Sequence, residues 1–242
     1  APNRHISFYE NYTHMPYADY TYKCKNPLRR YSHQRRIAMS LSFIDRYLPK
    51  NGSILDFGCA DGYMLGQLGT LRPDCKATGF EPYPDADTPT CGVKIYHDYD
   101  KLLADGGKFD IITCFEVLEH LSYKGREAVI GNITKLLKPG GILLMSVPVE
   151  YGIAGLAKGI IRRLTIKKLA PQYTAANLFR TLFALPVPGW RDGDGYLDHI
   201  GFYYRDLEPQ VDAGFQRIER KWSPFGLGPA LSSQVMAAYR MR

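Results

Sequence analysis

Apolar and polar residues alternate along the chain in a pattern that predicts short strands separated by helices. Apolar residues at helical spacing predict helices at 33–48, at about 62–71 and in "REAVIGNITKLL". Five short apolar runs are predicted as strands: 53–57, "KATGFE", "VKIYH", 108–115 and, after a "KPGG" turn, "ILLMSV". Near the end of the chain, "FQRIERKW" and "SQVMAAYR" have no helical segment between them. We therefore expect these two to pair antiparallel at one edge of the sheet.

Strands that alternate with helices predict an α/β fold, in which helices cover a doubly wound, mostly parallel sheet. We expect seven strands in a Rossmann-like arrangement, with the antiparallel C-terminal hairpin at its edge. The run at 108–115 is apolar almost throughout, as in a strand that is buried on both faces. We predict a single domain over 1–242, with a helical N-terminal extension at 1–50 and a substrate-side insertion or lid at 150–200.

Composition narrows the setting of this fold. The chain has 242 residues, of which 45% are hydrophobic, enough for one large core. There is no apolar run of about 18 residues, so we predict no membrane span. Five widely spaced cysteines without a CxxC pair indicate a reduced, cytoplasmic protein without structural zinc.

The net charge of +7 is concentrated in two segments. Residues 1–50 carry nine Lys or Arg against three acids, and residues 151–182 carry six Lys or Arg and no acid, which leaves the remainder negative. Such basic segments suit an anionic partner, either a phosphorylated small molecule or a lipid surface. The alternative for each segment is a solvated face. We see no nucleic-acid-binding motif, and nucleic acid is not an expected partner.

The segment "ILDFGCADGYMLGQL", residues 54–68, joins a predicted strand to a predicted helix, where ligands of open α/β sheets bind. Its small residues Gly58, Ala60 and Gly62 allow a close approach to the backbone, but Tyr63 stands near the place of the third glycine of a dinucleotide fingerprint. Asp56 precedes the glycines, where a carboxylate would repel a pyrophosphate. It suits a cationic ligand instead, such as S-adenosylmethionine, which carries an ammonium and a sulfonium group and no phosphate.

Acidic residues also follow the next two predicted strands. Glu81 comes 25 residues after Asp56, where an acid can accept both ribose hydroxyls. Asp98 and Tyr99 end the third strand, in a place to meet the adenine edge. Each residue alone fits an ordinary turn, but all of them together favour a nucleoside site.

These motifs resemble those of the class I S-adenosylmethionine-dependent methyltransferases, over roughly residues 50–150. The resemblance rests on "ILDFGCADG", Glu81, "FDIITCFEVLEHL" and "LLKPGGILLMSVP". It implies methyl transfer and S-adenosylmethionine as cofactor, and Ala60 departs from the usual glycine. The implied cofactor-binding residues are Asp56, Gly58, Cys59, Gly62, Glu81, Asp98, Tyr99 and Phe115. More loosely, the flanking segments resemble methyltransferases of bacterial surface-polysaccharide biosynthesis.

The segment "FEVLEHL" supplies candidates for catalysis. Glu116, Glu119 and His120 have spacings of three and four, which would place them on one side of a helical turn, and His199 comes much later. In the favoured interpretation His120 or His199 is a general base, with Glu116 beside it. In the alternative, Glu116, Glu119, His120 and His199 bind a divalent metal, a pattern that resembles small-RNA 2′-O-methyltransferases and ubiquinone-pathway O-methyltransferases. Glu116 and Glu119 could also simply cap the turn.

The segment "IAGLAKGIIRRLTIKKL", residues 153–169, is predicted as a basic amphipathic helix. It could rest peripherally on a membrane, line a pocket for a phosphorylated substrate, or face the core with a solvated back. Five basic residues of the two basic segments are candidate substrate contacts: Arg30, His33, Arg36, Arg162 and Arg163.

Together these features predict an O-methyltransferase that acts on a sugar of a nucleotide-linked or lipid-linked glycan intermediate. A metal-assisted RNA 2′-O-methyltransferase and a small-molecule O- or N-methyltransferase are the alternatives within enzymes. A scaffold that binds S-adenosylmethionine without turnover is the alternative outside them, and the acid–base candidates argue against it.

Overall fold

The computed structural model describes residues 21–82, 92–165, 172–187, 199–223, 228 and 232–242. Seven strands are found there: β1 (Ser53–Phe57), β2 (Lys76–Phe80), β3 (Lys94–Tyr96), β4 (Phe109–Phe115), β5 (Leu137–Pro148), β6 (Phe215–Ser223) and β7 (Gln234–Met241). Seven α-helices accompany them: α1 (Pro27–Tyr47), α2 (Tyr63–Leu71), α3 (Tyr99–Asp105), α4 (Tyr123–Leu136), α5 (Gly152–Thr165), α6 (Ala175–Leu182) and α7 (Glu208–Asp212). Short 3₁₀ turns lie at Leu118–His120 and Tyr204–Asp206.

The strands form one seven-stranded sheet in the order β3-β2-β1-β4-β5-β7-β6. Strand β1 pairs parallel with both β2 and β4, and β2 pairs parallel with β3. Strands β6 and β7 pair antiparallel from Phe215 opposite Met241 to Ser223 opposite Gln234. The predicted mixed sheet with an antiparallel C-terminal pair is therefore confirmed.

Two element boundaries differ from the sequence prediction. Helix α1 begins at Pro27 and not at residue 33, because proline fits the first helical turn and the polar residues that follow are exposed. Strand β5 begins at Leu137 and takes in the "KPGG" segment that was predicted as a turn. Gly140 has a φ of 70°, which glycine adopts without steric cost, so the chain bends there without leaving the strand.

The chain divides into two compact units, 1–113 with 136–144 (the N-terminal unit) and 114–135 with 145–242 (the C-terminal unit). The N-terminal unit is built on completely buried aliphatic side chains: Ile54, Leu55, Leu65, Leu68, Leu102, Ile111 and Ile112. The C-terminal unit has an aromatic core: Phe202, Phe215 and Tyr239. The predicted extension and insertion stay predictions.

Arg72 ties together the ends of several elements in the N-terminal unit. Its guanidinium donates to Asp45 at the end of α1, to the carbonyl oxygens of Leu48 and Pro49, and to Asp74. Asp74 in turn accepts the Asn51 N–H at 2.8 Å. The end of α1 and the segment before β1 are thereby held against the end of α2.

None of the helices in the described part of the chain combines the length with the apolar character that a membrane span requires.

Candidate active site

The turn after β1 has an unusual backbone that explains its small residues. Gly58, Ala60 and Gly62 have φ values of 88°, 49° and 74°, so every second residue lies in the left-handed region. Glycine adopts this region freely, whereas Ala60 does so with some strain. The N–H groups of Gly58 and Cys59 both donate to the Phe80 carbonyl, at 2.7 and 3.1 Å. The turn is thus held at the end of β2.

Asp56 lies at the base of this turn, and its carboxyl group is buried. It accepts a hydrogen bond of 2.7 Å from the Thr113 hydroxyl on β4. Burial raises the pKa of Asp56 to about 7, helped by the nearby charge of Glu81 and opposed by the Thr113 hydrogen bond. A buried carboxyl group in this state is stabilised by a cationic partner and destabilised by a phosphate.

Glu81 lies beside the same turn, where its Oε2 accepts the Ala60 N–H at 3.1 Å. The Glu81 N–H donates to the Tyr96 carbonyl at 2.9 Å, which links the end of β2 to the end of β3. Two carboxyl groups and a turn with left-handed backbone therefore lie together, which suits a ligand with an ammonium group and a ribose. Asp56, Glu81 and the turn fit the predicted cofactor, S-adenosylmethionine.

Asp98 and Tyr99 begin helix α3. The Asp98 side chain caps the helix by accepting the Lys101 N–H at 2.9 Å, and the Tyr99 ring contacts Phe80 edge-on, with 6.2 Å between centroids. The cap accounts for the acid at position 98 without a ligand, so its adenine contact stays a prediction. Phe115, the last residue of β4, is half-buried, and its role at the cofactor also stays a prediction.

A contact that sequence reasoning missed joins the N-terminal segment to the glycine-rich turn. The buried Tyr22 ring stacks on Tyr63, with 3.5 Å between centroids, and its hydroxyl donates to Asp61 at 2.7 Å. Asp61 also accepts the Tyr63 N–H at 3.1 Å. The richness of the N-terminal segment in tyrosine is the signal in the sequence that could have pointed to this contact. Tyr9, Tyr12, Tyr17 and Tyr20 lie outside the described residues.

In the C-terminal unit, the predicted helical turn after β4 is wrong. Glu116 has a φ of 55°, so it leaves the helical region before the three-residue 3₁₀ turn begins at Leu118. Its carboxylate accepts hydrogen bonds from the Ser146 hydroxyl at 3.0 Å and from Gln234 at 2.9 Å. Glu116 is thus separated from Glu119 and His120, with which it was predicted to share a face.

Glu119, His120 and His199 do come together. One coordinating atom from each lies within 4.8 Å of the other two, and this is the metal-ligand cluster found among the described residues. The Glu119 side chain is buried, and the His120 and His199 rings meet edge-on, with 5.0 Å between centroids. Two imidazoles and a carboxylate fit a divalent transition metal such as Mn²⁺ or Zn²⁺ better than Mg²⁺, which prefers oxygen ligands.

A buried carboxylate that sequence reasoning also missed adjoins this cluster. Glu150 Oε1 lies 3.5 Å from His199 Nδ1, and its oxygens accept hydrogen bonds from Lys158 at 2.9 Å and from Arg162 at 2.6 Å. Burial alone would raise the pKa of Glu150, but Lys158, His199 and Arg162 together hold it well below its ordinary value. A signal was present, because Glu150 is the one acidic residue between Glu127 and Asp192 and precedes a basic helix.

The candidate substrate contacts have protein partners of their own. Arg162 is engaged by Glu150 and also donates to the Tyr173 hydroxyl at 3.1 Å, and Arg163 donates to the Tyr173 carbonyl at 2.5 Å. On α1, Arg36 contacts His33 Nδ1 at 2.7 Å, and Arg30 donates to the Cys24 carbonyl at 3.4 Å. We assign Arg162 to the Glu150 network, and substrate binding by these five residues stays a prediction.

Comparison with known proteins identifies relatives over most of the chain. The family model described as a methyltransferase domain matches residues 29–206. A ubiquinone biosynthesis O-methyltransferase of Colwellia psychrerythraea is 28% identical over 198 residues, 75% of this chain and 77% of the relative. One of Coxiella burnetii is 30% identical over 184 residues, 71% of this chain and 76% of the relative.

A similar fold is found in the Burkholderia thailandensis 1,6-didemethyltoxoflavin-N1-methyltransferase, whose crystal structure contains S-adenosylhomocysteine. The TM-score is 0.54 at 15% identity, and the match covers 87% of this chain and 80% of that one. At this identity the likeness concerns the fold.

Replacing Glu81 by Ala should weaken binding of S-adenosylhomocysteine at least tenfold. A hydrogen bond to a charged group contributes about 1.5–3 kcal/mol, and the variant removes the carboxylate expected at the ribose. Titration calorimetry measures the change, with Asp105→Ala, an exposed acid at the end of α3, as the matched control. Equal affinities in Glu81→Ala and the wild type would show that Glu81 does not face the ligand.

The pKa of Asp56 predicts how binding and stability depend on pH. Lowering the pH from 8 to 6 should weaken binding of S-adenosylhomocysteine about tenfold, because the protonated Asp56 no longer attracts the ammonium group. In Asp56→Asn, affinity should be low and should lack this pH dependence. Calorimetry at four pH values across this range checks both expectations.

The same shift has a definite sign for folding. Folding raises the pKa of Asp56 from 3.8 to about 7, so the contribution of this group to the free energy of unfolding falls as the pH rises through that range. The stability of Asp56→Asn relative to the wild type should therefore increase from pH 5 to pH 8 in urea unfolding without ligand. If the difference in free energy of unfolding between the variant and the wild type does not vary with pH, the raised pKa of Asp56 is contradicted.

Proposed function

The chain belongs to the S-adenosylmethionine-dependent methyltransferases, and we propose that its acceptor is a hydroxyl group of a small molecule. Its relatives are O-methyltransferases, which supports oxygen as the acceptor atom. The small-molecule alternative fits these relatives better than the glycan intermediate that we predicted from the sequence. The observation that carries the proposal is the cluster of His120 and His199 at the buried Glu119 carboxylate. Either histidine could accept the proton of a hydroxyl group.

The cofactor's part is a methyl group made electrophilic by the positive sulfur to which it is bonded. On the protein's side, Asp56 and the turn from Gly58 to Gly62 would hold the amino acid moiety, and Glu81 would hold the ribose. The buried, uncompensated charge of Asp56 favours a cation there. These residues bind and orient, and we assign them no proton transfer.

His199 is our candidate for the general base. Its Nδ1 lies 3.5 Å from the Glu150 carboxylate, which would orient the ring electrostatically so that Nε2 accepts a proton from the acceptor hydroxyl. Lys158 and Arg162 already neutralise Glu150, so this carboxylate serves mainly to orient the ring. Glu150 is therefore a positioning residue.

The cluster of Glu119, His120 and His199 also supports a second role, as the site of a divalent cation. Such a cation would lower the pKa of a bound hydroxyl group and remove the need for a strong base. As in the sequence analysis, we favour a general base over a metal site. Glu150 lies beside His199, and Glu116 is not part of the cluster.

An acceptor panel tests the function. Purified protein is incubated with labelled S-adenosylmethionine and hydroxylated aromatic small molecules, sugar nucleotides or RNA. We expect label on a hydroxyl oxygen of a small molecule, located by mass spectrometry. His199→Gln should lower kcat at least 100-fold with unchanged affinity for S-adenosylhomocysteine, because removal of a general base affects the chemical step. Transfer to a sugar nucleotide alone would restore the glycan prediction.

A chelation experiment separates the base from the metal site. With a base, dialysis against EDTA should leave kcat unchanged, and Mn²⁺ should show no binding that depends on Glu119. With a metal site, EDTA should abolish turnover and Mn²⁺ should restore it. Electron paramagnetic resonance of added Mn²⁺, in the wild type and in Glu119→Gln, reports binding without reference to activity. A tightly bound Mn²⁺ signal lost in Glu119→Gln would overturn our preference.

A further inference from the structure

Helices α5 and α6 expose more large apolar side chains than the other described parts of the chain. Seven of the twelve large hydrophobic residues that are exposed in the described part of the chain lie on these helices or just after them. Their exposed fractions range from 42% to 77%. We call this surface the α5–α6 face, and it consists of Ile153, Ile160, Ile161, Leu164, Phe179, Phe183 and Leu185.

Packing inside the helix pair explains why these side chains point outward. Gly155 and Gly159 are buried on the side of α5 that faces α6. A Cβ atom at Gly155 would come within 3.0 Å of Thr181, and one at Gly159 within 2.7 Å of Leu178. The small residues of α5 therefore make its internal contacts.

Residues of the α5–α6 face follow helical spacing on the other side of α5. Ile153, Ile160 and Leu164 are separated by seven and four residues, which places them on one stripe opposite the two glycines. Sequence reasoning offered a core-facing apolar stripe with a solvated back, and that alternative is wrong. The aliphatic stripe is the exposed side, and on α6 the exposed Phe179 and Phe183 rings contact each other, with 4.8 Å between centroids.

The segment that carries most of this face has charges of one sign in the sequence. Residues 151–182 contain six Lys or Arg and no acid. Glu150 forms ion pairs with two of them, Lys158 and Arg162, and its single negative charge offsets one of their two positive charges. Arg163 and Arg180 on the two helices, and Lys167 and Lys168 just after α5 in the sequence, are not balanced by any acid within this segment.

We propose that the α5–α6 face docks on an anionic lipid surface. The Ile, Leu and Phe side chains would enter the boundary between head groups and acyl chains, while the basic residues bind lipid phosphates. A helix with an aliphatic face, an aromatic neighbour and only basic charge is typical of interfacial binding. Charge complementarity decides against a second copy of this chain, because two such surfaces would bring their positive charges together. This inference goes beyond the proposed function and does not depend on it.

Vesicle flotation tests the docking. The full chain is mixed with vesicles of phosphatidylcholine alone, or with 30% phosphatidylglycerol, at low salt and in 0.5 M NaCl. We expect binding to the anionic vesicles that weakens at least tenfold on neutral vesicles or in high salt, because screening removes the attraction of the basic residues. Two double variants, Ile161→Gln with Leu164→Gln and Phe179→Gln with Phe183→Gln, should each lower the partition coefficient at least tenfold.

Matched controls identify the cause of any loss. Leu71→Gln with Leu103→Gln removes two exposed leucines from the N-terminal unit, and this variant should bind vesicles as the wild type does. Affinity for S-adenosylhomocysteine and the thermal unfolding midpoint should be unchanged in all variants, which shows that they fold.

Two outcomes would overturn the proposal. The first is wild-type protein that does not float with anionic vesicles. If light scattering then showed a dimer that the face variants convert to monomers, the α5–α6 face would be an interface between copies. The second is equal loss of binding in the Leu71 and Leu103 control, which would make the interaction nonspecific.

Discussion

A buried carboxyl group that has no neutralising cation among the described residues is the constraint on which the N-terminal unit depends. Asp56 is placed at the end of a buried strand, with Thr113 as its hydrogen-bond donor, and the chain then doubles back over it through three left-handed residues. The turn is pinned to β2 at Phe80 and to Glu81 through Ala60. Two acids beside one turn repel each other without a ligand and would be stabilised by a cationic one, which fits the cofactor that we expect there.

The C-terminal unit contains a buried carboxylate, Glu150, whose pKa is shifted in the opposite direction. Glu150 has two cations and a histidine around it, and its pKa is held below the ordinary value, whereas burial raises the pKa of Asp56. This difference separates the two functions. In the proposed function Asp56 binds a cationic ligand, whereas Glu150, which has cationic neighbours, orients His199.

Helix α5 serves both the site and the surface. Its Lys158 and Arg162 point to Glu150, its glycines allow α6 to approach, and its aliphatic residues are exposed. The contacts with Glu150 and α6 use one side of the helix, and Ile153, Ile160, Ile161 and Leu164 are exposed in the part of the chain that the structure describes. Docking on a lipid surface is the explanation that we propose for their apolar character.

The sequence by itself determined the sheet and the cofactor turn, because both depend on local patterns. Strand and helix periodicity reports which face is buried, and the alternation of small residues after Asp56 reports a left-handed backbone that few side chains tolerate. Only the tertiary structure decided the partners of groups far apart in the chain. The spacing of Glu116, Glu119 and His120 predicted a shared helical face, but a positive φ at Glu116 broke it, and Glu116 found Ser146 and Gln234 instead. The apolar stripe of α5 was visible in the sequence, but periodicity alone does not state which side of a helix is buried. That depends on which neighbour approaches, and two glycines allowed α6 to approach the other side.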